Sequence, residues 1–159
     1  LTTFSGEEPM KTSLDAVAKF HRQIDAPVAI APKLLDGNPA NAGDAAKCLQ
    51  QLMNEPIFKN PSCDEFLQRL HFAIEELYEW AKAHAESDLV EAADAWADRC
   101  YVLFGDAIAS GIPAEAIFNE VHRSNMTKSA PSDLHGKGLK SAHFERPLIE
   151  PILKKSLAN

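Results

Sequence analysis

Cysteine is scarce in this sequence, and long apolar runs are missing. The 159 residues include only three cysteines, Cys48, Cys63 and Cys100, and no two of them form a C-x-x-C pair. Such an odd, dispersed set argues against a disulfide framework or a zinc knuckle and fits a reducing compartment, so we expect a cytoplasmic protein. Because no apolar stretch is long enough to span a bilayer, we expect no membrane partner.

Positive charge is also in short supply. The formal net charge is −7, and because duplex nucleic acid requires a basic surface, this charge disfavours a nucleic-acid partner. The sign is uneven along the chain: residues 75–98 hold eight acidic residues and one lysine, whereas from residue 119 onward seven Lys or Arg face four acids. The chain therefore has an acidic middle and a basic tail.

Helical periodicity runs through most of the chain, and strand-type alternation is nowhere convincing. Apolar spacing predicts helices over residues 12–24, 44–53, 113–125 and 148–157. Capping boxes at Ser62 and at Asp88 predict two longer helices, which run to about residues 85 and 110. Gly111 lies where a C-cap glycine belongs, and three prolines predict an extended connection over residues 25–43.

These patterns predict an all-α fold, a helical bundle. We expect a single domain over residues 10–159. Residues 1–9 precede Met10, the first residue of the first periodic segment. We interpret them as a flexible N-terminal extension or a cloning remnant.

Three glutamates lie close together on the first of the two longer helices. Glu75, Glu76 and Glu79 span an arc of about 100°, opposite the centre of the apolar stripe. Taken alone, such an arc is more often a solvated polar face than a binding site.

The next predicted helix repeats the pattern in a more apolar setting. Glu91, Asp94 and Asp98 fall within about 60° of one another, and from residue 92 to 109 only four side chains are charged. A helix that is apolar nearly all round is expected to be buried. Carboxylates on a buried helix are costly unless a cation or hydrogen-bond donors meet them.

Few basic side chains are available to neutralise these carboxylates. Lys82 and Arg99 are the only Lys or Arg between residues 75 and 106. Too few counter-charges for several carboxylates favour a hard divalent cation with oxygen ligands, Mg²⁺ above all, with Mn²⁺ as a substitute. No glutamate has a histidine three residues later, the spacing that di-iron bundles use. A metal site that handles phosphates is therefore favoured, with a structural acid cluster as the alternative.

The acidic segments resemble the MazG-like nucleoside triphosphate pyrophosphohydrolases. This all-α superfamily also includes dimeric dUTPases and phosphoribosyl-ATP pyrophosphohydrolase. Its E-E-x-x-E signature is matched by "EELYE", which supplies Glu75, Glu76 and Glu79.

The second acidic motif of the family is matched less regularly. Glu91 and Asp94 satisfy E-x-x-D, but only eleven residues separate Glu79 from Glu91, which is short for the family. Asp98 directly precedes "RCYVLFG", which resembles the family's D-x-x-Y-V-x-x-G segment, so Asp98 and Asp94 rank above Glu91. The resemblance thus implies the metal ligands Glu75, Glu76, Glu79, Asp94 and Asp98, with Glu91 as an alternative ligand.

Two segments of the basic tail add to the resemblance. "VHRSNMTK" is similar to a family segment that contacts nucleotide, which implies binding roles for Asn125 and Lys128. "GKGLKSAHFERP" is similar to the family's closing lysine loop, which implies phosphate contacts for Lys137 and Lys140. From the residues alone, these lysines are more often solvated loop residues. "AVAKFHRQIDAPV" is similar to the first helix of small bacterial members, whereas residues 41–60 match no part of the family and are interpreted as an insertion.

The resemblance implies Mg²⁺-dependent hydrolysis of a nucleoside or deoxynucleoside triphosphate between the α and β phosphates. dUTP or a non-canonical nucleotide is the expected substrate, and Glu76 or Glu75 would orient or deprotonate the attacking water. The resemblance also implies a homodimer, or a dimer of dimers, in which paired helices complete a four-helix core. The alternatives are a phosphoribosyl-ATP pyrophosphohydrolase of histidine synthesis and a non-enzymatic acidic helical protein that binds a basic partner.

Overall fold

The computed structural model of the chain describes residues 9–60, 64–130 and 136–158. Its helices are α1 (Pro9–Gln23), α2 (Pro39–Met53), a short 3₁₀ helix (Pro56–Phe58), α3 (Glu65–Glu86), α4 (Leu89–Ser110), α5 (Ala114–Asn125) and α6 (Ile149–Leu157). The β pairing of the described residues is one isolated antiparallel bridge between Ser129 and Leu139. The predicted all-α class is therefore confirmed.

Three further points concern the predictions made for the whole chain. The interpretation of residues 1–9 as an extension falls, except for Pro9, outside the described residues. The predicted cap at Ser62 is wrong, because α3 begins at Glu65 and the Asp64 side chain caps it by accepting the Leu67 N–H. In the part of the chain that the structure describes, no single helix is long and apolar enough to cross a membrane. Helices α4 and α5 reach the length and apolar composition of a membrane-spanning segment only when they are counted together, although the chain breaks between them.

The chain divides into two compact units, each described here by itself. The central unit, Ala31–Gly111, holds α2, the 3₁₀ helix, α3 and α4, and α3 packs against both α2 and α4. The terminal unit, Leu1–Ile30 with Ile112–Asn159, holds α1, α5 and α6, and α5 packs against both of the others.

The turn between α3 and α4 is built by local capping. Ser87 ends α3 in the left-handed conformation, with a φ of 59°. The Asp88 carboxylate then accepts the backbone N–H groups of Val90 and Glu91 and begins α4, as the sequence predicts. Gly111 ends α4 with a φ of 65°, which confirms the predicted C-cap, since glycine adopts this conformation without strain.

Helix α2 begins earlier than the sequence predicts. The extended connection was expected to reach residue 43, whereas α2 starts at Pro39. The Asn38 side chain accepts the Ala40 N–H at 2.9 Å, and proline suits the first helical position because its missing N–H has no helical partner there. The last part of the predicted connection is therefore wrong.

Small side chains form much of the buried contact surface of the central unit. Its buried apolar residues are Ala46, Phe58, Ile74, Ala83, Ala92 and Ala95. Of these, only Ala92 and Ala95 belong to α4, whereas Tyr101 and Ile108 of the same helix are 83% and 82% exposed. The expectation of a buried α4 is thus wrong for the single chain, because a helix packed on one neighbour buries one stripe.

Arg69 joins the beginning of α3 to the end of α4. Its Nε donates to Asp106 Oδ1 at 2.6 Å, and its Nη2 donates to the Val102 carbonyl at 2.7 Å. Gly105 makes this approach feasible, because a Cβ atom there would collide with the guanidinium group.

Two polar networks hold the terminal unit together. Gln23 at the end of α1 donates through Nε2 to the carbonyls of Met126 and Lys128, at 3.0 and 2.6 Å. Arg123 pairs with Glu120 and Glu145, and Glu120 also accepts the Leu148 N–H ahead of α6. The hydrogen bonds from Arg123 and Leu148 lower the pKa of Glu120 to about 2.

Candidate functional site

Glu76 lies at the centre of the acidic region of the central unit. It is half-buried on α3, and its Oε2 atom is buried without a hydrogen-bond partner among the described residues. Burial raises the pKa of Glu76, and the negative charges of Glu79, Asp98, Glu75 and Asp94 raise it further. A buried carboxylate oxygen without a partner is costly and therefore indicates a site that a cation or a donor completes.

The charges that act on Glu76 come from two helices. Glu75 and Glu79 belong to α3, as does Glu76 itself, whereas Asp94 and Asp98 belong to α4 and lie one turn apart on the same face. The other four carboxylates that the sequence ranked highest as metal ligands therefore all act on the charge of Glu76, and their role as ligands stays a prediction.

Glu91 stands apart from this group. Its charge is not among those that raise the pKa of Glu76, and it lies in the first turn of α4, where its N–H donates to Asp88. We therefore leave Glu91 out of the group and call the other five residues (Glu75, Glu76, Glu79, Asp94 and Asp98) the carboxylate cluster.

The carboxylate cluster is open on most sides in the single chain. Glu75, Glu79, Asp94 and Asp98 are exposed, and only Glu76 is half-buried. The expected buried setting of Asp94 and Asp98 is therefore wrong for the chain alone, because α4 packs against α3 along a narrow alanine stripe. The cluster therefore consists of four exposed carboxylates and one that is partly buried.

The residues of the cluster fit a hard divalent cation by their chemistry. All donors are carboxylate oxygens, which Mg²⁺ and Mn²⁺ prefer, and one of these oxygens is buried without a partner. As their side chains are placed, however, the described residues contain no group of three or more His, Cys, Asp or Glu that would hold an ion. The carboxylate cluster thus provides oxygen ligands and negative charge, but its side chains are not arranged as a complete coordination shell.

The two basic residues of this region have other partners. Lys82 Nζ lies 3.9 Å from Glu86, on the same helix. The Arg99 guanidinium stacks on Trp80, with Cζ 4.5 Å from the ring centroid. In the described part of the chain, neither residue forms an ion pair with the carboxylate cluster, so its negative charge is not locally neutralised.

In the terminal unit, two of the predicted substrate-binding residues share a cavity. Lys128 and Lys137 line a space of about 390 Å³ together with the end of α1. Its other lining residues are Phe20, His21, Ile24, Asp25, Ala26, Pro27, Gly136 and Gly138. Lys140 is not among them and lies with its Nζ 5.1 Å from the Phe144 ring centroid. Asn125 ends α5, and its carbonyl accepts the Lys128 N–H at 3.0 Å.

The cavity is built by close backbone packing. Ser129 and Leu139 exchange two backbone hydrogen bonds, which hold the segment of Lys128 beside that of Gly138. A Cβ atom on Gly138 would lie 2.9 Å from Ile24 Cγ2 and 3.1 Å from Lys128 Cβ, so only glycine fits there without displacement. The residues of α1 that line this cavity had no predicted role, although the similarity of residues 16–28 to a family helix pointed to that segment.

The comparisons with known proteins identify the family. The model of the family described as "Phosphoribosyl-ATP pyrophosphohydrolase" matches residues 46–125, half of the chain. Neither the curated proteins nor the solved structures contain a match to this chain. The match spans the whole carboxylate cluster and ends at Asn125.

The match also corrects one prediction. Residues 41–60 were interpreted as an insertion, but the family model matches residues 46–60 of this stretch. Helix α2, which lies in the same stretch, packs against α3 as part of the bundle. Since the family hydrolyses a nucleotide with release of pyrophosphate, the match supports a nucleotide pyrophosphohydrolase. The chain belongs to the phosphoribosyl-ATP pyrophosphohydrolase family.

Proposed function

We propose that the protein hydrolyses a nucleoside triphosphate between its α and β phosphates, with Mg²⁺ as cofactor, in a reducing cytoplasm. The products are a nucleoside monophosphate and pyrophosphate. The buried, unpartnered Oε2 of Glu76 carries this proposal, because four further carboxylates raise the pKa of the same residue.

The carboxylate cluster supplies the ligands for the metal in this proposal. Glu75, Glu79, Asp94 and Asp98 would hold Mg²⁺, or Mn²⁺ in its place, together with Glu76. When bound, the cation supplies positive charge that offsets the charge of the phosphate oxygens and makes nearby water more acidic. A solvated acidic face needs no buried carboxylate, so Glu76 favours the enzyme over a non-enzymatic acidic protein.

Glu76 is the best candidate for the general base. Glu76 is half-buried whereas Glu75 is exposed, so Glu76 is better placed to accept a proton from a water held at the cluster. The oxygen of the attacking water bonds to phosphorus, and the bond from phosphorus to the bridging oxygen breaks, so that pyrophosphate leaves. Glu76 accepts the proton of the water.

The lysines of the terminal unit are proposed to bind phosphate. Lys128 and Lys137 line one cavity, and ammonium groups act as point charges toward phosphate oxygens. Asn125 and Lys140 have the same role by resemblance, and Lys140 ranks lower because it does not line this cavity.

We also propose a homodimer, or a dimer of dimers, that covers the exposed face of α4. Tyr101, Phe104 and Ile108 share one face by helical spacing and are 83%, 51% and 82% exposed. A large exposed apolar stripe is typical of a protein interface. Sedimentation of Ile108→Glu beside Leu157→Glu, whose site on α6 is 87% exposed, tests this: a monomer is expected only for the first variant.

Phosphoribosyl-ATP is the second candidate substrate. The matched family favours it, whereas the Asn-x-x-Lys segment over residues 125–128 and the lysine loop after it resemble the dUTPase-like and housecleaning members more closely. Both substrates are cleaved at the same type of bond, so the catalytic roles above apply to each.

Release of pyrophosphate from a panel of nucleotides tests the proposal. The panel includes the common ribonucleotides and deoxynucleotides, dUTP and phosphoribosyl-ATP, each with Mg²⁺ and with Mn²⁺. We expect turnover of at least one nucleotide and none when chelator is in excess. If no nucleotide is cleaved under any condition, the proposed activity is wrong and the non-enzymatic alternative is favoured.

A further inference from the structure

Arg99 and Trp80 form a stacked pair between α4 and α3. The Arg99 Cζ atom lies 4.5 Å from the centroid of the indole ring, and both residues are half-buried. The His84 ring packs against Trp80 edge-on, with centroids 4.7 Å apart. The indole is thus held by α3 itself, and it orients the guanidinium group.

The donors of Arg99 are not used within the described residues. No hydrogen bond or ion pair of Arg99 occurs there, although Asp98 precedes it in the chain. A guanidinium group has five N–H donors in a planar fork, so Arg99 retains its capacity for an external anion.

The stacked pair lies close to the carboxylate cluster along the helix. Trp80 follows Glu76 by four residues, which places it on the same face of α3 and about 6 Å farther along the axis. A triphosphate chain spans such a distance. A ligand whose phosphates are held at the cluster would therefore bring a further phosphate near Arg99.

We propose that Arg99 binds a non-bridging oxygen of the substrate's phosphate chain and that Trp80 serves as the platform that orients it. This inference rests on the proposed function and adds a phosphate-binding residue from the central unit. Arginine can bind a phosphate group through two parallel hydrogen bonds, which lysine cannot do. Stacking on the indole already restricts the Arg99 side chain, so phosphate binding costs less conformational entropy. The pair therefore favours di- and triphosphates over monophosphates.

Binding to Trp80 provides a readout that is independent of turnover. The chain has two tryptophans, Trp80 and Trp96, so Trp96→Phe leaves Trp80 as the single indole. Pyrophosphate and inorganic triphosphate, each with Mg²⁺, are the probes, and the change in tryptophan emission gives Kd. Arg99→Met keeps an apolar stem on the indole, and Arg99→Lys keeps the charge without the fork.

We expect Arg99→Met to raise Kd for inorganic triphosphate about 10- to 100-fold, since a hydrogen bond to a charged group contributes about 1.5–3 kcal/mol. Arg99→Lys should recover only part of the loss. Lys82→Met is the matched control, because Lys82 is paired with Glu86, and its Kd should be unchanged. Thermal unfolding of each variant separates lost packing from lost affinity.

The outcomes distinguish this inference from the proposed function. If the protein cleaves nucleotides while Arg99→Met retains the parent Kd and KM, the inference is overturned and the activity stands. If no nucleotide is cleaved but Arg99→Met still loses triphosphate affinity, the phosphate site stands and the proposed activity fails. Where Arg99→Met does not fold, Arg99→Lys decides: a Kd equal to that of the parent overturns the inference.

Discussion

Asp98 on α4 raises the pKa of Glu76 on α3. A carboxylate on each of two helices therefore acts on the same small region, and Glu76 contributes a buried oxygen that has no partner among the described residues. Such an arrangement disfavours the folded state at neutral pH, because charged carboxylates repel one another and burial penalises the charged form. It is the arrangement expected of a cation site.

The first expected outcome concerns Glu76→Gln. A raised pKa in the folded state means that stability is complete below the unfolded pKa and is lost as pH rises through the folded pKa. In the metal-free protein, removing the charge should therefore raise Tm at pH 7 and change it little near pH 4. Turnover should fall at least about 100-fold, since a general base contributes that much. Thermal unfolding at both pH values and pyrophosphate release measure the two effects.

Glu86→Gln is the control for that variant, because Glu86 lies on the same helix outside the carboxylate cluster. It should leave turnover unchanged and should not raise Tm at pH 7. A Glu76→Gln variant with the wild-type Tm at both pH values, or with near-normal turnover, would contradict the assigned role.

The helices could be predicted from the sequence, apart from the start of α2 and the cap of α3, whereas the metal role of the acidic residues stays a prediction. Periodicity and caps such as Asp88 and Gly111 are local, so they are readable along the chain. Exposure is not local: the apolar composition of α4 indicated burial, but burial depends on how many neighbours a helix has. The same reason explains why Phe20 was missed, since its place beside Lys128 depends on the Gln23 hydrogen bonds across about a hundred residues.

Variants that lack one proposed metal ligand should lose activity but still fold. Glu79→Gln and Asp98→Asn should abolish turnover and leave the helical circular dichroism spectrum and the oligomeric state unchanged, because both side chains are exposed. Mg²⁺ should raise Tm of the wild-type protein, since a ligand at 100 times Kd stabilises by about 2.7 kcal/mol. The two variants should show a smaller shift, and near-normal activity in both would remove the metal assignment.

Gly105→Ala should destabilise the central unit despite the better helix propensity of alanine. The new methyl group displaces Arg69 from Asp106 and Val102, which costs more than the propensity gain of about 0.8–1 kcal/mol. We expect a net loss of about 1 kcal/mol, measured by urea unfolding. In an Arg69→Ala background the sign should reverse, and a loss of equal size in both backgrounds would show that Arg69 is not the cause.

Substitution of the lysines that line the cavity of the terminal unit should raise KM more than substitution of other lysines. Lys128→Ala and Lys137→Ala should each raise KM for the nucleotide by about tenfold, since a hydrogen bond to a charged group contributes on the order of 1.5 kcal/mol or more. Lys140→Ala should have a smaller effect, and Lys155→Ala on α6 serves as the charge-matched control without an effect. An equal KM for all four variants would contradict a phosphate role of the cavity.

The central claim is that carboxylates of α3 and α4 bind one divalent cation together. The position of bound Mn²⁺ in a crystal tests this claim most directly. Crystals of the full chain grown with Mn²⁺ are measured at the manganese absorption edge, with crystals of Glu76→Gln as the comparison. We expect an anomalous peak at coordination distance from carboxylate oxygens of both α3 and α4, with Glu76 and Asp98 among the contacts. Ordered carboxylates that point to solvent at saturating Mn²⁺, with no peak among them, would contradict the account.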